Sequence, residues 1–244
     1  MNRTLRTILT TALRVRAMLE GPFDRWYLDK HVPLIDHHSS YAALITDYNR
    51  PGMRVLEVGS REVTGKSNAR NSFGQAEYVG FDYFPGVNVD VVGDAHRLAS
   101  YFAPGEQFDL IYSAACFEHF AMPWVVATEI AKMLKIGGRV FVATHFSFSS
   151  HERPWHFFQF SDMALRVLFP AALGFECIDA GASDPMVGRF SALATRGLRY
   201  RPITGLYCGS SYMGRKVRDV PGFTWEDADL MALVGGTSYP RENV

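Results

Sequence analysis

Val55-Leu56-Glu57-Val58-Gly59-Ser60-Arg61 is the stretch on which the reading of the fold turns. A short apolar run rich in β-branched residues and stopped by glycine reads as a strand buried on both faces, and Arg54–Val58 is such a run. Moving outward, Tyr78–Phe81, Val87–Val92 and Phe108–Ser113 repeat the pattern as strands two to four. Trp124–Leu134 then carries apolar residues at helical spacing and runs up to Gly137-Gly138, a helix-ending signal. Arg139–Thr144 is the fifth strand. Ser161–Phe169 reads as a helix with Ser161 at its N-cap. Gly174 leads into a sixth strand near Phe175–Asp179, and Phe190–Arg196 is the expected seventh. Strands alternating with helices predict an α/β chain, with a seven-stranded, mostly parallel sheet covered by helices on both faces. That core is expected over residues 51–200, with a helical lid or flanking segment over 1–50 and an irregular arm over 201–244.

The totals narrow the class. At 244 residues the chain suits one large domain, or a domain with a lid. Hydrophobic residues make up 48% and charged residues 20%, ordinary values for a folded chain and against disorder. The 25 basic residues balance the 25 acidic ones, so no broad field draws the protein to nucleic acid. No apolar run is long enough to span a bilayer. Cys116, Cys177 and Cys208 are odd in number and widely spaced, which fits reduced thiols and a cytoplasmic protein better than a disulfide framework or a cysteine zinc site. At the N-terminus, Arg3, Arg6, Arg14 and Arg16 precede the first acid, Glu20, while Leu5, Ile8, Leu9, Ala12 and Leu13 recur at helical spacing. That is an amphipathic helix, expected to pack on the domain or on a partner such as a second copy of the chain. A membrane-surface helix is the other reading.

Ligands of open α/β sheets bind beyond the carboxyl ends of the strands, near the switch in strand order. Gly59 and Ser60 follow the first strand, where glycine lets the backbone approach a ligand and the loop feeds a helix N-terminus. Asp82 follows the second, about 20 residues on, the interval at which an acid meets a ribose in dinucleotide folds. Asp94-Ala95 follows the third, Ser113 and then Glu118-His119 the fourth, and His145 the fifth. Each alone has a plain explanation as a cap, a solvated turn or a hydrogen-bonded core histidine. Polar groups at five consecutive strand ends are harder to explain that way.

In their order and spacing, VLEVGSREVTGKS (55–67), YVGFDYFPGVNVDVVGDAHRL (78–98), FDLIYSAACFEHF (108–120) and LKIGGRVFVATHF (134–146) resemble the successive motifs of class I S-adenosylmethionine-dependent methyltransferases. The resemblance implies a Rossmann-like fold and S-adenosylmethionine as cofactor. It implies that Gly59 and its neighbours line the methionine portion, with Glu57 supporting that loop. Asp82 would accept both ribose hydroxyls, Asp94 would hold the adenine amino group beside the Ala95 amide, and the Ser113 carbonyl would meet the cofactor's ammonium. In one respect the chain departs from the family. The usual Gly-x-Gly-x-Gly is Gly59-Ser60-Arg61-Glu62-Val63, which leaves the loop's path and the roles of Ser60 and Arg61 open. A second run, HERPWHFFQF (151–160), is similar to a segment of bacterial methyltransferases of glycan and polysaccharide pathways. The chain as a whole resembles actinobacterial sugar O-methyltransferases of the methylmannose-polysaccharide type.

These resemblances imply methyl transfer to a hydroxyl of a sugar or oligosaccharide, a mannoside among the options. A hydroxyl is a poor nucleophile until it loses its proton, so a positioned base or a divalent cation should help. His145 is the expected base, assisted by Glu118 and His119. The alternative to a bare histidine base is Mg²⁺ with Glu118 as its ligand, and the sequence does not choose between the two. His151, Trp155, His156 and Phe158 are expected to hold the acceptor, because sugar rings stack on aromatics while their hydroxyls need polar partners. An aromatic core beneath the following helix is the plainer reading of that segment. Two rival functions remain. An NAD(P)-dependent oxidoreductase explains Gly59 and Asp82 but lacks Gly-x-Gly-x-x-Gly and gives Asp94 no role. A cofactor-binding regulator without turnover would carry the same cofactor residues.

Overall fold

The computed structural model describes residues 3–63, 65–229 and 233. The chain divides into two compact units, Met1–Val32 with Asp184–Tyr207, and Pro33–Ser183 with Cys208–Val244. In chain order the strands are β1 (Arg54–Val58), β2 (Glu77–Asp82), β3 (Val91–Val92), β4 (Phe108–Ala114), β5 (Leu134–His145), β6 (Phe175–Pro185), β7 (Gly188–Arg189), β8 (Pro202–Ile203) and β9 (Tyr207–Lys216). The α-helices are α1 (Arg3–Glu20), α2 (His37–Tyr48), α3 (Ala69–Ser72), α4 (Pro123–Met133) and α5 (Asp162–Leu168).

The main sheet has the order β3-β2-β1-β4-β5-β9-β6. Strands β1 to β5 pair in parallel, and β9 runs antiparallel to β5. Chain order reverses direction between β1 and β4, which makes that gap the switch point where a ligand crevice opens. Alternate residues of a strand face opposite sides, and both sides are covered. Val55, Leu110, Tyr112 and Phe141 face a core that includes Leu44 and Tyr48 of α2 and Phe73 after α3. Leu56, Val58, Ile111, Val140 and Val142 face the larger core with Leu98, Val126, Ile130 and Leu165. Ser161 caps α5 as expected, its hydroxyl accepting from the Ala164 amide.

The expected seventh strand needs correcting. Residues 191–200 form turns, and Phe190–Arg196 lies outside every strand. The seventh strand of the main sheet is β9, in the segment expected to be an irregular arm. Val87–Val92 also shrinks to the two residues of β3, because Asn88 takes a left-handed backbone conformation (φ 68°). In the first unit, α1 has no buried residue, and β7 pairs with β8 in a short antiparallel ribbon. Among the described residues, no helix is long and apolar enough to cross a membrane.

Candidate active site

The register places Val58 beside Phe81, Asp82 beside Val92, and Ala114 beside Ala143, so the polar residues past these strands lie along one edge. Gly59 turns the chain there with φ 89°. A Cβ on it would stand 2.5 Å from Cys116 Sγ, so geometry and packing both demand glycine. The amides of Gly59 and Ser60 donate to the Phe81 carbonyl at 2.8 and 3.2 Å, tying the turn to β2. Ser60 Oγ is buried and has no hydrogen-bond partner. Glu57 lies below the turn, accepting hydrogen bonds from Tyr78 and, at 2.7 Å, from Tyr112. Burial pushes its carboxyl pKa up, against the opposing pull of those hydroxyls.

Arg61, the departure from the glycine pattern, reaches Asp82. Its amide and Nε donate to the two carboxylate oxygens at 3.3 and 3.2 Å, and its guanidinium lies 5.4 Å from the Phe84 ring centre. Asp94 caps the 3₁₀ turn that starts at Ala95, accepting from the His96 amide at 2.9 Å, with His96 Nδ1 at 2.6 Å. The Ser113 hydroxyl donates to the Val58 carbonyl at 2.7 Å and holds β4 to β1.

Past β4 and β5 the expected histidines converge. Glu118 is fully buried, and its Oε1 lies 2.6 Å from His145 Nδ1. Neither atom has a hydrogen-bond partner, so the contact is short but misdirected for an N–H···O bond. The other carboxylate oxygen accepts from Thr144 Oγ1 at 2.5 Å. Burial works to raise the Glu118 pKa, but the His145 imidazole and the Thr144 hydroxyl outweigh it and hold the carboxyl below its ordinary value. His151 stands edge-on to His145, ring centres 5.2 Å apart, and both His119 and His156 stand beside His151 at 5.0 and 4.4 Å. Burial, then the neighbouring imidazoles, lowers the His156 pKa. His119 Nδ1 lies 2.9 Å from the Trp155 carbonyl. The amides of Phe157 and Phe158 donate to the Glu118 carbonyl, pinning the aromatic segment across the strand ends. Within it, Trp155 is 55% exposed. Phe158 packs towards the larger core beside Phe160 and Trp124, as the plainer reading of that residue has it.

A comparison with protein families matches residues 34–177 to the family described as a methyltransferase domain. The chain belongs to that family. It is an S-adenosylmethionine-dependent methyltransferase with the Rossmann-like fold. A solved structure of similar fold is the 1,6-didemethyltoxoflavin-N1-methyltransferase of Burkholderia thailandensis, determined with 1,6-didemethyltoxoflavin and S-adenosylhomocysteine. It is 14% identical, with 89% of this chain and 92% of that one covered and a TM-score of 0.51. The YcgJ protein of Bacillus subtilis is 18% identical, with 75% and 100% covered and a TM-score of 0.49. The N-methyltransferase NodS of Bradyrhizobium japonicum is 12% identical, with 75% and 95% covered and a TM-score of 0.45. No curated protein matches the chain.

Three residues at these strand ends went unremarked or unassigned in the sequence. Arg61 stood where a glycine was expected, and its partner is the acid past the next strand. Thr144, adjacent to His145, is the hydroxyl that holds Glu118. Cys116 fills the space that a side chain at Gly59 would need, and only the fold brings them together.

Proposed function

We propose that this methyltransferase transfers a methyl group to a hydroxyl of a sugar or oligosaccharide. The observation that carries the proposal is buried Glu118 paired with His145, one of four clustered histidines at the strand ends, with the exposed Trp155 in the neighbouring segment. S-adenosylmethionine supplies an electrophilic methyl on a sulfonium, and its sulfur takes back the electron pair when the carbon–sulfur bond breaks. The chain's own residues then have three tasks. Gly59, Ser60, Asp82, Asp94, Ala95 and Ser113 hold the cofactor, and the buried, unpartnered Ser60 hydroxyl fits that use. Trp155, with His151 and His156, offers a ring face and imidazole nitrogens to a sugar. The acceptor's proton is lost at the Glu118–His145 pair, to His145 when the pair is free of ions, as the new carbon–oxygen bond forms. The three thiols, none in a disulfide, suit a cytoplasmic enzyme.

The test is methyl transfer from labelled cofactor to a panel of glycosides, phenols, lipids and amines. Transfer to glycosides is expected, with Trp155→Ala raising the acceptor KM several-fold more than the cofactor KM. Transfer to phenols, lipids or amines alone would remove the sugar reading. NAD should leave the protein's melting temperature unchanged, whereas S-adenosylhomocysteine should raise it.

Asp82→Ala should weaken cofactor binding by about 1.5–3 kcal/mol, the scale for hydrogen bonds to a charged acceptor. Calorimetry checks this. Unchanged affinity would leave Asp82 as the partner of Arg61 and nothing more.

A further inference from the structure

Magnesium prefers oxygen donors and keeps several of its waters, whereas the strand ends past β4 and β5 present two imidazoles and one carboxylate. That donor set does not fit Mg²⁺. It is the set taken by first-row transition ions. We propose that Glu118, His145 and His151 bind one divalent transition-metal ion of the zinc class, which deepens the acceptor-site reading above.

Three observations converge on it. One ligand atom from each residue lies within 4.8 Å of the other two. An ion about 2.1 Å from each ligand holds any two at most about 4.2 Å apart, so small side-chain adjustments close the site. Second, Glu118 Oε1 and His145 Nδ1 are buried, 2.6 Å apart and not hydrogen-bonded to each other. A structural His–Glu pair would satisfy both atoms with one aligned N–H···O bond. Here both atoms are buried without an aligned partner, and the pair opens by under about 1 Å to admit an ion between them. Third, the outer contacts are those that orient ligands. Thr144 Oγ1 holds the other Glu118 oxygen at 2.5 Å. His151 Nδ1 lies 2.9 Å from the Ser149 carbonyl, which can only accept. His151 therefore carries its proton on Nδ1 and keeps the Nε2 lone pair free, the tautomer a ligand needs. Phe148, stacked on His145 with ring centres 4.3 Å apart, fixes that ring. An ion here would lower the pKa of an acceptor hydroxyl that binds it. It would also occupy His145, so the proton would pass to solvent water when the ion is bound and to His145 only in ion-free enzyme.

The full chain, purified without a histidine tag and stripped with a chelator, is titrated with Zn²⁺ and with Co²⁺. Wild type should take up about one equivalent of either ion, and His151→Ala and Glu118→Gln should each bind about 100-fold more weakly or worse. The visible Co²⁺ band should be lost in both variants, and excess Mg²⁺ should not displace the ion. Retained affinity for S-adenosylhomocysteine shows that the variants are folded. No uptake by wild type, or equal uptake by wild type and both variants, overturns the site. The titration reads ion uptake and not methyl transfer. A protein that methylates glycosides and binds no ion overturns the ion site and leaves the function standing, and the reverse result does the opposite.

Discussion

His145→Ala is expected to lower kcat about 10²- to 10⁴-fold, the range general-base catalysis spans, while S-adenosylmethionine binds nearly as in wild type. The loss falls on kcat because His145 ends β5 and the proposed cofactor contacts stand at the ends of β1, β2, β3 and β4. Its imidazole is 19% exposed, and its Nδ1 lies 2.6 Å from the buried Glu118. Added imidazole should restore part of the rate to the alanine variant, as it would not if the ring served only to pack against Phe148. Assays of stripped and ion-loaded enzyme separate the two uses of the ring. If His145 receives the proton itself, stripped wild type keeps most of its rate. If it acts as a ligand, stripped wild type is already as slow as the variant. A loss smaller than about tenfold would place the proton elsewhere, on His119 or His156.

The strands that carry the edge were legible because each is a compact apolar run stopped by a polar residue or glycine. Arg54–Val58 was read to the residue, and β2, β4 and the start of β6 to within one or two. Strand β9 was missed for a physical reason. It lies between β5 and β6, and its sequence, Tyr-Cys-Gly-Ser-Ser-Tyr-Met-Gly-Arg-Lys, fills much of that place with small and polar residues. A Cβ on Gly209 would stand 2.6 Å from Ser183 Oγ, so close packing selects residues that look like a loop. Conversely, the apolar letters of Phe190–Arg196 suggested a strand where the chain makes turns. At the site, the polar ends of strands could be read in advance, but their pairings could not. That Arg61 would hold Asp82, or that the loop after β5 would fold back to set His151 beside His145, depends on contacts that sequence spacing does not encode.

Lys216→Met is expected to lower the unfolding free energy by about 2–5 kcal/mol, from two buried carbonyls left without a donor. Lys216 is 2% exposed, and its Nζ donates to the carbonyls of Ala131 and Leu134 at 2.6 and 2.7 Å and meets Asp219 at 2.6 Å. Ala131 lies in the last turn of α4, where carbonyls lack partners within the helix, and Leu134 opens β5. The ammonium therefore caps α4 and ties β9 to the start of β5. A cation at a helix C-terminus also suits the helix dipole. Methionine keeps the buried apolar stem, so the comparison isolates the charged group. At about 2–4 °C per kcal/mol for a chain of this size, the melting temperature should fall by roughly 4–20 °C. Urea unfolding at unchanged m-value checks the free energy. A change below about 1 kcal/mol would mean that water reaches these carbonyls from the side of exposed Asp219. Lys216 and Leu134 lie at the end of the β5–β9 pair opposite His145, so well below the melting temperature the variant should keep wild-type kcat and cofactor affinity.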